Sequence, residues 1–133
     1  MFRNININDY ESYKKLTNSD LSYDKYNNFI ENVLNDNHIM ILLFENNNII
    51  GTGTLLIEEK LTNGGYKCGH IENVLINKKY RGNKYGQKLI HYLVDLAKKK
   101  KCYRVVLICK KELENFYTKN NFHSDNICMS LLL

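Results

Sequence analysis

Proline and tryptophan are absent from this chain of 133 residues, and glycine occurs only 7 times. That composition excludes a collagen-like repeat. No apolar run approaches the roughly 20 residues that a helix needs to span a bilayer, so no membrane partner is expected. The opening MFRNIN holds no apolar leader stretch, and a cytoplasmic location is the expectation. Cysteine is sparse, with 4 residues at positions 68, 102, 109 and 128, and none forms a C-x-x-C pair. A zinc knuckle or thioredoxin-type motif is therefore missing. In a reducing compartment these are free thiols, and most are expected to be small core residues. His38, His70, His91 and His123 lack the mutual spacing of a ligand set, so no metal is expected.

Hydrophobic residues make up 44% and charged residues 25% of the chain, values that exclude wholesale disorder. One domain, residues 1–133, is expected, because domains run to roughly 100–200 residues. A chain of this size can bury a core without staples. Basic residues number 19 and acidic residues 14, a net charge of +5. That balance suits an anionic ligand, nucleic acid or a phosphorylated small molecule, and its magnitude does not separate the two. A nucleic-acid module spreads basic and aromatic residues over one face. Here many lysines gather in one loop, 78–84, and at one helix end, 98–101, so no nucleic-acid partner is expected. Asparagine runs such as 46–48 read as compositional drift.

The periodicities predict an α+β chain. Residues 2–7 suit a short strand, and Asp9 is placed to cap a helix over 10–16. Ser22 opens a helix in which Tyr23, Tyr26, Phe29, Ile30, Val33 and Leu34 recur at helical steps. The period then changes. Residues 39–44 and 49–57, joined across an asparagine turn, read as a hairpin. A second turn at Asn63-Gly64-Gly65 leads to a long strand over 69–77. Residues 85–99 form an amphipathic helix with lysines at its C-terminal end, where cations suit the helix dipole. A strand over 103–109, a short helix over 112–119 and a last strand over 127–133 complete the order β-α-α-β-β-β-α-β-α-β. The strand–helix–strand unit in the middle is expected to cross over right-handed.

The stretch RGNKYG, Arg81 to Gly86, lies between a strand and a helix. Amides at a helix N-terminus are unpaired and favour an anion. Glycines let a phosphate approach the backbone, and Arg81 and Lys84 add charge. The segment reads either as a pyrophosphate cradle or as a glycine-containing loop with solvated lysines. It is neither a P-loop nor a dinucleotide fingerprint, since both patterns are incomplete.

This loop resembles the acetyl-CoA loop, Q/R-x-x-G-x-G/A, of the Gcn5-related N-acetyltransferase (GNAT) superfamily. Arg81 and Gly86 match its ends, and Lys84 stands at its middle glycine. Four blocks in order, GHIENVLINKKYRGNKYGQKLI, Cys102-Tyr103-Arg104, Asn115-Phe116-Tyr117 and the run to Phe122, resemble the family of glucosamine 6-phosphate N-acetyltransferases. The close likeness covers residues 69–122. It implies the GNAT fold, a mixed, mostly antiparallel sheet flanked by helices. It also implies acetyl-CoA as cosubstrate, an amino-sugar phosphate as acceptor, a place in UDP-GlcNAc precursor synthesis, and a homodimer. The apolar C-terminal run 127–133 would be an aggregation-prone edge if left bare, which also points to pairing with a second copy.

The resemblance assigns roles residue by residue. Val74, Leu75 and Ile76 match a bulged strand whose backbone pairs with the pantetheine arm and polarises the thioester oxygen. Arg81, Gly82, Asn83, Lys84, Tyr85, Gly86 and Gln87 match the cofactor loop. Glu72, with Asn73 beside it, matches the amino-sugar site, where a carboxylate binds the ammonium and accepts its proton. Tyr117 matches the tyrosine that protonates the departing thiolate; from a helix only one of Phe116 and Tyr117 can point fully into the core, so Tyr117 is expected at the cleft. No base accompanies Cys102 or Cys109, so direct attack of the amine is expected, without an acyl-enzyme. Asn73, Ile108 and Leu113 depart from the family's aspartate, acidic residue and asparagine, and Asn121 replaces a glycine. Two other readings stay open: an acetyltransferase of another amine, and a CoA-binding fold with little catalysis. His70 reads as a hydrogen-bonded structural histidine or a variant base.

Overall fold

The computed structural model describes all 133 residues. Five strands, β1 (Phe2–Asn4), β2 (His38–Glu45), β3 (Asn48–Lys60), β4 (Tyr66–Ile76) and β5 (Cys102–Leu107), form one sheet in the order β1-β2-β3-β4-β5. The first four pair antiparallel as a meander, and β5 joins β4 in parallel. The parallel step needs a crossover, which α3 (Tyr85–Lys99) supplies. Helices α1 (Tyr10–Thr17) and α2 (Tyr23–Asn28) precede the meander, and α4 (Glu114–Lys119) follows β5. This is the α+β, mostly antiparallel arrangement expected from the periodicities. No helix is long and apolar enough to cross a membrane.

Side chains alternate across the sheet, and the two faces carry separate cores. On one face Ile39, Ile41, Leu55, Ile57 and Ile71 meet Leu89, Ile90, Leu93 and Ala97 of α3, with Tyr117 of α4. On the other, Met40 and Leu42 meet Ile5 and Tyr26, closed by the half-buried Tyr10, Tyr13 and Phe29. The crossing of α3 over β3 is close: a Cβ at Gly53 would sit 2.9 Å from Leu93 Cδ1. Glycine there sets the helix-to-sheet spacing.

Four details correct the sequence reading. Asp9 gives α1 no side-chain cap. Its buried carboxylate accepts two bonds from the Arg3 guanidinium, at 2.8 and 2.7 Å, and one from the Asn6 N–H at 2.8 Å. Asn6 caps the short 3-10 turn Ile7–Asp9 instead. The helix opened by Ser22 runs only to Asn28, then widens into a π turn over Phe29–Val33. Residues 127–133 form no strand and stand exposed, with Ile127, Met129 and Leu131 all more than four-fifths accessible. A strand exists only within a ladder, and no strand of this chain pairs with them. Of the cysteines only Cys68 is buried; Cys109 and Cys128 are exposed.

The asparagines are more than drift. Asn18, Asn46, Asn47, Asn63, Asn73 and Asn121 all adopt positive φ, and only Lys84 and Lys101 do so among other non-glycine residues. Asparagine tolerates the left-handed region better than other side chains, so it serves here where glycine is scarce.

Candidate active site

The site lies where β4 leaves β5. The two strands pair from Lys67 to Ile71 on β4, against Cys102 to Leu107 on β5. Beyond Ile71 strand β4 continues to Ile76, bonded to β3 alone. Its other edge therefore pairs with no strand over Glu72, Asn73, Val74, Leu75 and Ile76. On the β3 side the register breaks: Thr54 lies opposite Glu72 and Thr52 opposite Leu75, so Asn73 and Val74 share Gly53. This is a bulge, and Asn73 sits in it at φ 52°. Glu72 and Asn73 are exposed, while Val74, Leu75 and Ile76 are half-buried.

From Ile76 the chain enters the basic loop through a 3-10 turn, Lys78–Tyr80. Arg81 Nε donates to the Ile76 carbonyl at 3.1 Å, which ties the loop to the end of β4. Gly82 has φ 82° and open space around it. Asn83 Nδ2 reaches back to the carbonyls of Tyr80 and Arg81 at 3.4 Å each. Lys84 is the N-cap of α3 at φ 65° and offers no side-chain cap. The first bond of the helix runs from the Lys88 N–H to the Lys84 carbonyl, 3.0 Å, leaving the amides of Tyr85, Gly86 and Gln87 without intrahelical partners. Lys78, Lys79, Arg81, Lys84 and Lys88 all stand exposed around them. The donor set fits a polyanion. Gly86 has a packing reason as well, since a Cβ there would come within 3.4 Å of the Phe116 ring.

Tyr117 is the buried one of the Phe116–Tyr117 pair, at 9% exposure, contrary to the expectation that it would leave the core. Its ring is held edge-on by Phe116 at 4.9 Å and Phe122 at 5.8 Å. Its side chain nevertheless lines a broad cavity of about 1320 Å³, together with His70, Glu72, Cys109 and Asn120. Burial, and then the neighbouring Cys109, push its pKa above the ordinary phenol value, so it holds its proton at neutral pH.

A second cavity, of about 520 Å³, lies between α2 and the sheet, and Glu72 and Asn73 line it with Lys25, Phe29, His38 and Leu56. Glu72 thus faces both cavities. The structure brings Glu72 and Tyr117 to one cavity and Glu72 and Asn73 to another, while loop 81–87 lines neither. Ile108 lines the larger cavity just past β5. Leu113 ends the 3-10 turn Lys111–Leu113 ahead of α4. Sequence reasoning missed Lys25, Phe29 and His38, which reach the cavity from distant parts of the chain with no shared spacing. It also missed Glu58, whose Oε1 lies 3.0 Å from His70 Nε2.

The sheet thus parts beside a bulge, and a basic loop leads from the parted strand into the N-terminus of α3. The family model described as the acetyltransferase (GNAT) family matches residues 2–122, and the chain belongs to that family. It is similar to the glucosamine 6-phosphate N-acetyltransferase of Arabidopsis thaliana, 35% identical over 71% of this chain and 65% of that protein. It is also similar to the probable glucosamine 6-phosphate N-acetyltransferase 2 of Oryza sativa subsp. japonica, 33% identical over 74% of this chain and 61% of that protein. The matched segment thus spans less than two thirds of either curated relative. The crystal structure of glucosamine-6-phosphate N-acetyltransferase from Arabidopsis thaliana superposes with a TM-score of 0.92 at 27% identity, covering 99% of this chain and 97% of that one.

Proposed function

We propose that this chain is an acetyl-CoA-dependent N-acetyltransferase whose acceptor is the amine of glucosamine 6-phosphate, giving N-acetylglucosamine 6-phosphate, a UDP-GlcNAc precursor. The observation that carries this reading is the position of Glu72: one carboxylate on the freed edge of β4, shared by two cavities, with Tyr117 in the larger. The family match, residues 2–122, includes both residues.

Acetyl-CoA supplies an acetyl thioester open to attack by an amine. The open amides of Tyr85, Gly86 and Gln87, with Arg81, Gly82, Asn83 and Lys84, hold its phosphates. The unpaired edge of Val74, Leu75 and Ile76 holds its pantetheine arm, and a backbone N–H there stabilises charge on the carbonyl oxygen. Glu72 binds the acceptor ammonium, with Asn73 beside it, and a carboxylate there positions the amine for the loss of its proton. Tyr117, kept protonated by burial, gives its proton to the departing sulfur.

The exposed tail 127–133 carries Ile127, Met129, Leu131, Leu132 and Leu133. A tail this apolar is covered by a second copy, and the enzyme works as a homodimer. A second acceptor is favoured by one observation: the smaller cavity is walled by Tyr26, Phe29, Ile30 and Met40, and Asn73 and Ile108 bring no charge. An amine on a more apolar body would suit those walls. A thiol-release assay compares glucosamine 6-phosphate with glucosamine. Much faster release with the phosphorylated sugar is expected, and equal rates would transfer the assignment to the other amine.

A further inference from the structure

We propose that Glu58 and His70 form a carboxylate–imidazole pair that takes the proton the acceptor amine must lose, with Glu72 holding the ammonium. The proposal rests on the acetyltransferase reading above. Three observations carry it. His70 and Glu72 are two residues apart on β4, so their side chains share a face roughly 6–7 Å apart along the strand, and both line the larger cavity. Leu56, the β3 partner of His70, lines the smaller cavity with Glu72, so the imidazole stands beside the acceptor end of the site. Finally, His70 Nε2 lies 3.0 Å from Glu58 Oε1.

The bond to Glu58 sets the chemistry of the ring. Glu58 is held ionised, its pKa below the usual carboxylate range, first by His70 and then by Lys60, whose Nζ lies 3.3 Å from the same oxygen. An ionised carboxylate only accepts, so Nε2 carries the hydrogen and Nδ1 is left as the basic nitrogen. The same division of labour fixes the tautomer in carboxylate–histidine pairs generally. One proton leaves the substrate ammonium and passes, directly or through one water, to Nδ1. The nitrogen lone pair is thereby freed to attack, and the imidazolium is stabilised by Glu58 until it releases the proton to solvent across the open face.

Charged groups surround His70 on several elements, and the larger cavity it lines also holds His91, Asp95 and Lys98 of α3, Lys110, Lys111 and Glu114 beyond β5, and His123 and Asp125. Glu58 and Lys60 come from β3 and Glu72 from β4 itself. Arg104 lies on β5, two residues before Val106, the Cα partner of His70. Lys25 of α2 and His38 of β2 line the adjoining cavity. Helix α3 packs against Ile71, on the opposite face.

The test is the pH dependence of kcat/KM for glucosamine 6-phosphate in His70→Gln and Glu58→Gln, with acetyl-CoA affinity measured alongside. Glutamine at 70 keeps a donor for Glu58 and cannot take the proton. The expected loss is at least about tenfold near neutral pH, the lower end for a positioned base. The ratio of wild type to variant should also vary with pH where imidazoles titrate, between about 5 and 8. The limb set by the substrate's own ammonium cancels in that ratio. Glu58→Gln, on an exposed side chain, removes the carboxylate that orients the ring, and kcat/KM should fall. Acetyl-CoA affinity should be unchanged in both. Activity equal to wild type at every pH in either folded variant overturns the pair while leaving the acetyltransferase reading intact. Should wild type release no thiol from acetyl-CoA with glucosamine 6-phosphate, the acceptor assignment has failed, and the NMR resonances of the His70 ring read the pair directly. Ring resonances that shift in Glu58→Gln, and again when glucosamine is added as a probe ammonium, support it. Resonances indifferent to both overturn it.

Discussion

Lys84 holds a left-handed backbone, φ 65°, at the position where the resembled motif carries glycine. A non-glycine side chain pays roughly 1–2 kcal/mol to sit in that region. Lys84→Gly should therefore raise thermal stability by about 1 kcal/mol and weaken acetyl-CoA binding, since the loop loses one cation. Calorimetric melting and titration of the same preparation read the two effects separately; unchanged affinity would show that Lys84 is only a solvated charge. Tyr117 allows an equally separable test. Tyr117→Phe keeps the ring between Phe116 and Phe122 and removes the hydroxyl. The melting temperature should hold while kcat falls much more than KM for acetyl-CoA rises, because a proton given to the leaving sulfur acts in the transition state. Wild-type kcat with chemistry rate-limiting would make Tyr117 a packing residue. The sequence named Glu72, Tyr117 and the loop because each sits inside a contiguous motif. It could not name Glu58, whose relation to His70 is a matter of register between two strands. It also misplaced Tyr117, because adjacent helix positions do not reveal which one the sheet will cover.

At the scale of elements, periodic signals translated well. The helix over 85–99 has the predicted bounds, since its inward Leu89, Ile90, Leu93 and Ala97 follow the helical period. The bulge in β4 had no such signature. It comes from the ladder with β3, where Gly53 accommodates two residues, and a single strand's sequence does not contain its partner's register. The π turn at Phe29–Val33 was equally hidden, because its apolar spacing still resembles a helix. The junction of β1 and α1 makes a testable contact. The Arg3 guanidinium first, and then the Asn6 N–H, hold Asp9 below the usual carboxylate range, overcoming its partial burial. Its folded pKa is therefore lower than its unfolded one, about 3.9. The stabilisation is complete above that unfolded value and is lost as pH falls through the folded one. Asp9→Asn should cost about 1.5–3 kcal/mol at pH 7, the range for hydrogen bonds to charged groups. It should also flatten the acid side of the melting temperature against pH. A variant curve parallel to wild type below pH 4 would assign acid sensitivity to other carboxylates.

For the whole molecule, the tail and the charge distribution matter most. Residues 127–133 are apolar enough to read as a strand in sequence, yet no strand of the chain pairs with them. In light scattering the full chain should run as the proposed homodimer and deletion of 126–133 should give a monomer; a monomeric full chain would overturn the dimer, and a truncated chain that remains dimeric would place the interface elsewhere. Lys78, Lys79, Arg81, Lys84 and Lys88 stand exposed around the loop opening α3, whereas the proposed acceptor cavity sets Glu72 and Lys25 among mostly apolar walls. One end thus suits a polyanionic carrier and the other an ammonium.

The measurement that bears most directly on this arrangement is thiol release by Glu72→Gln with glucosamine 6-phosphate, paired with calorimetric titration of acetyl-CoA. Glutamine keeps the shape of the exposed side chain and removes its charge. The account predicts a fall of at least about tenfold in kcat/KM for the amino sugar, with acetyl-CoA affinity unchanged. Wild-type turnover in a folded Glu72→Gln variant would contradict it, because the carboxylate at the parting of β4 and β5 would then not be where the amine is received.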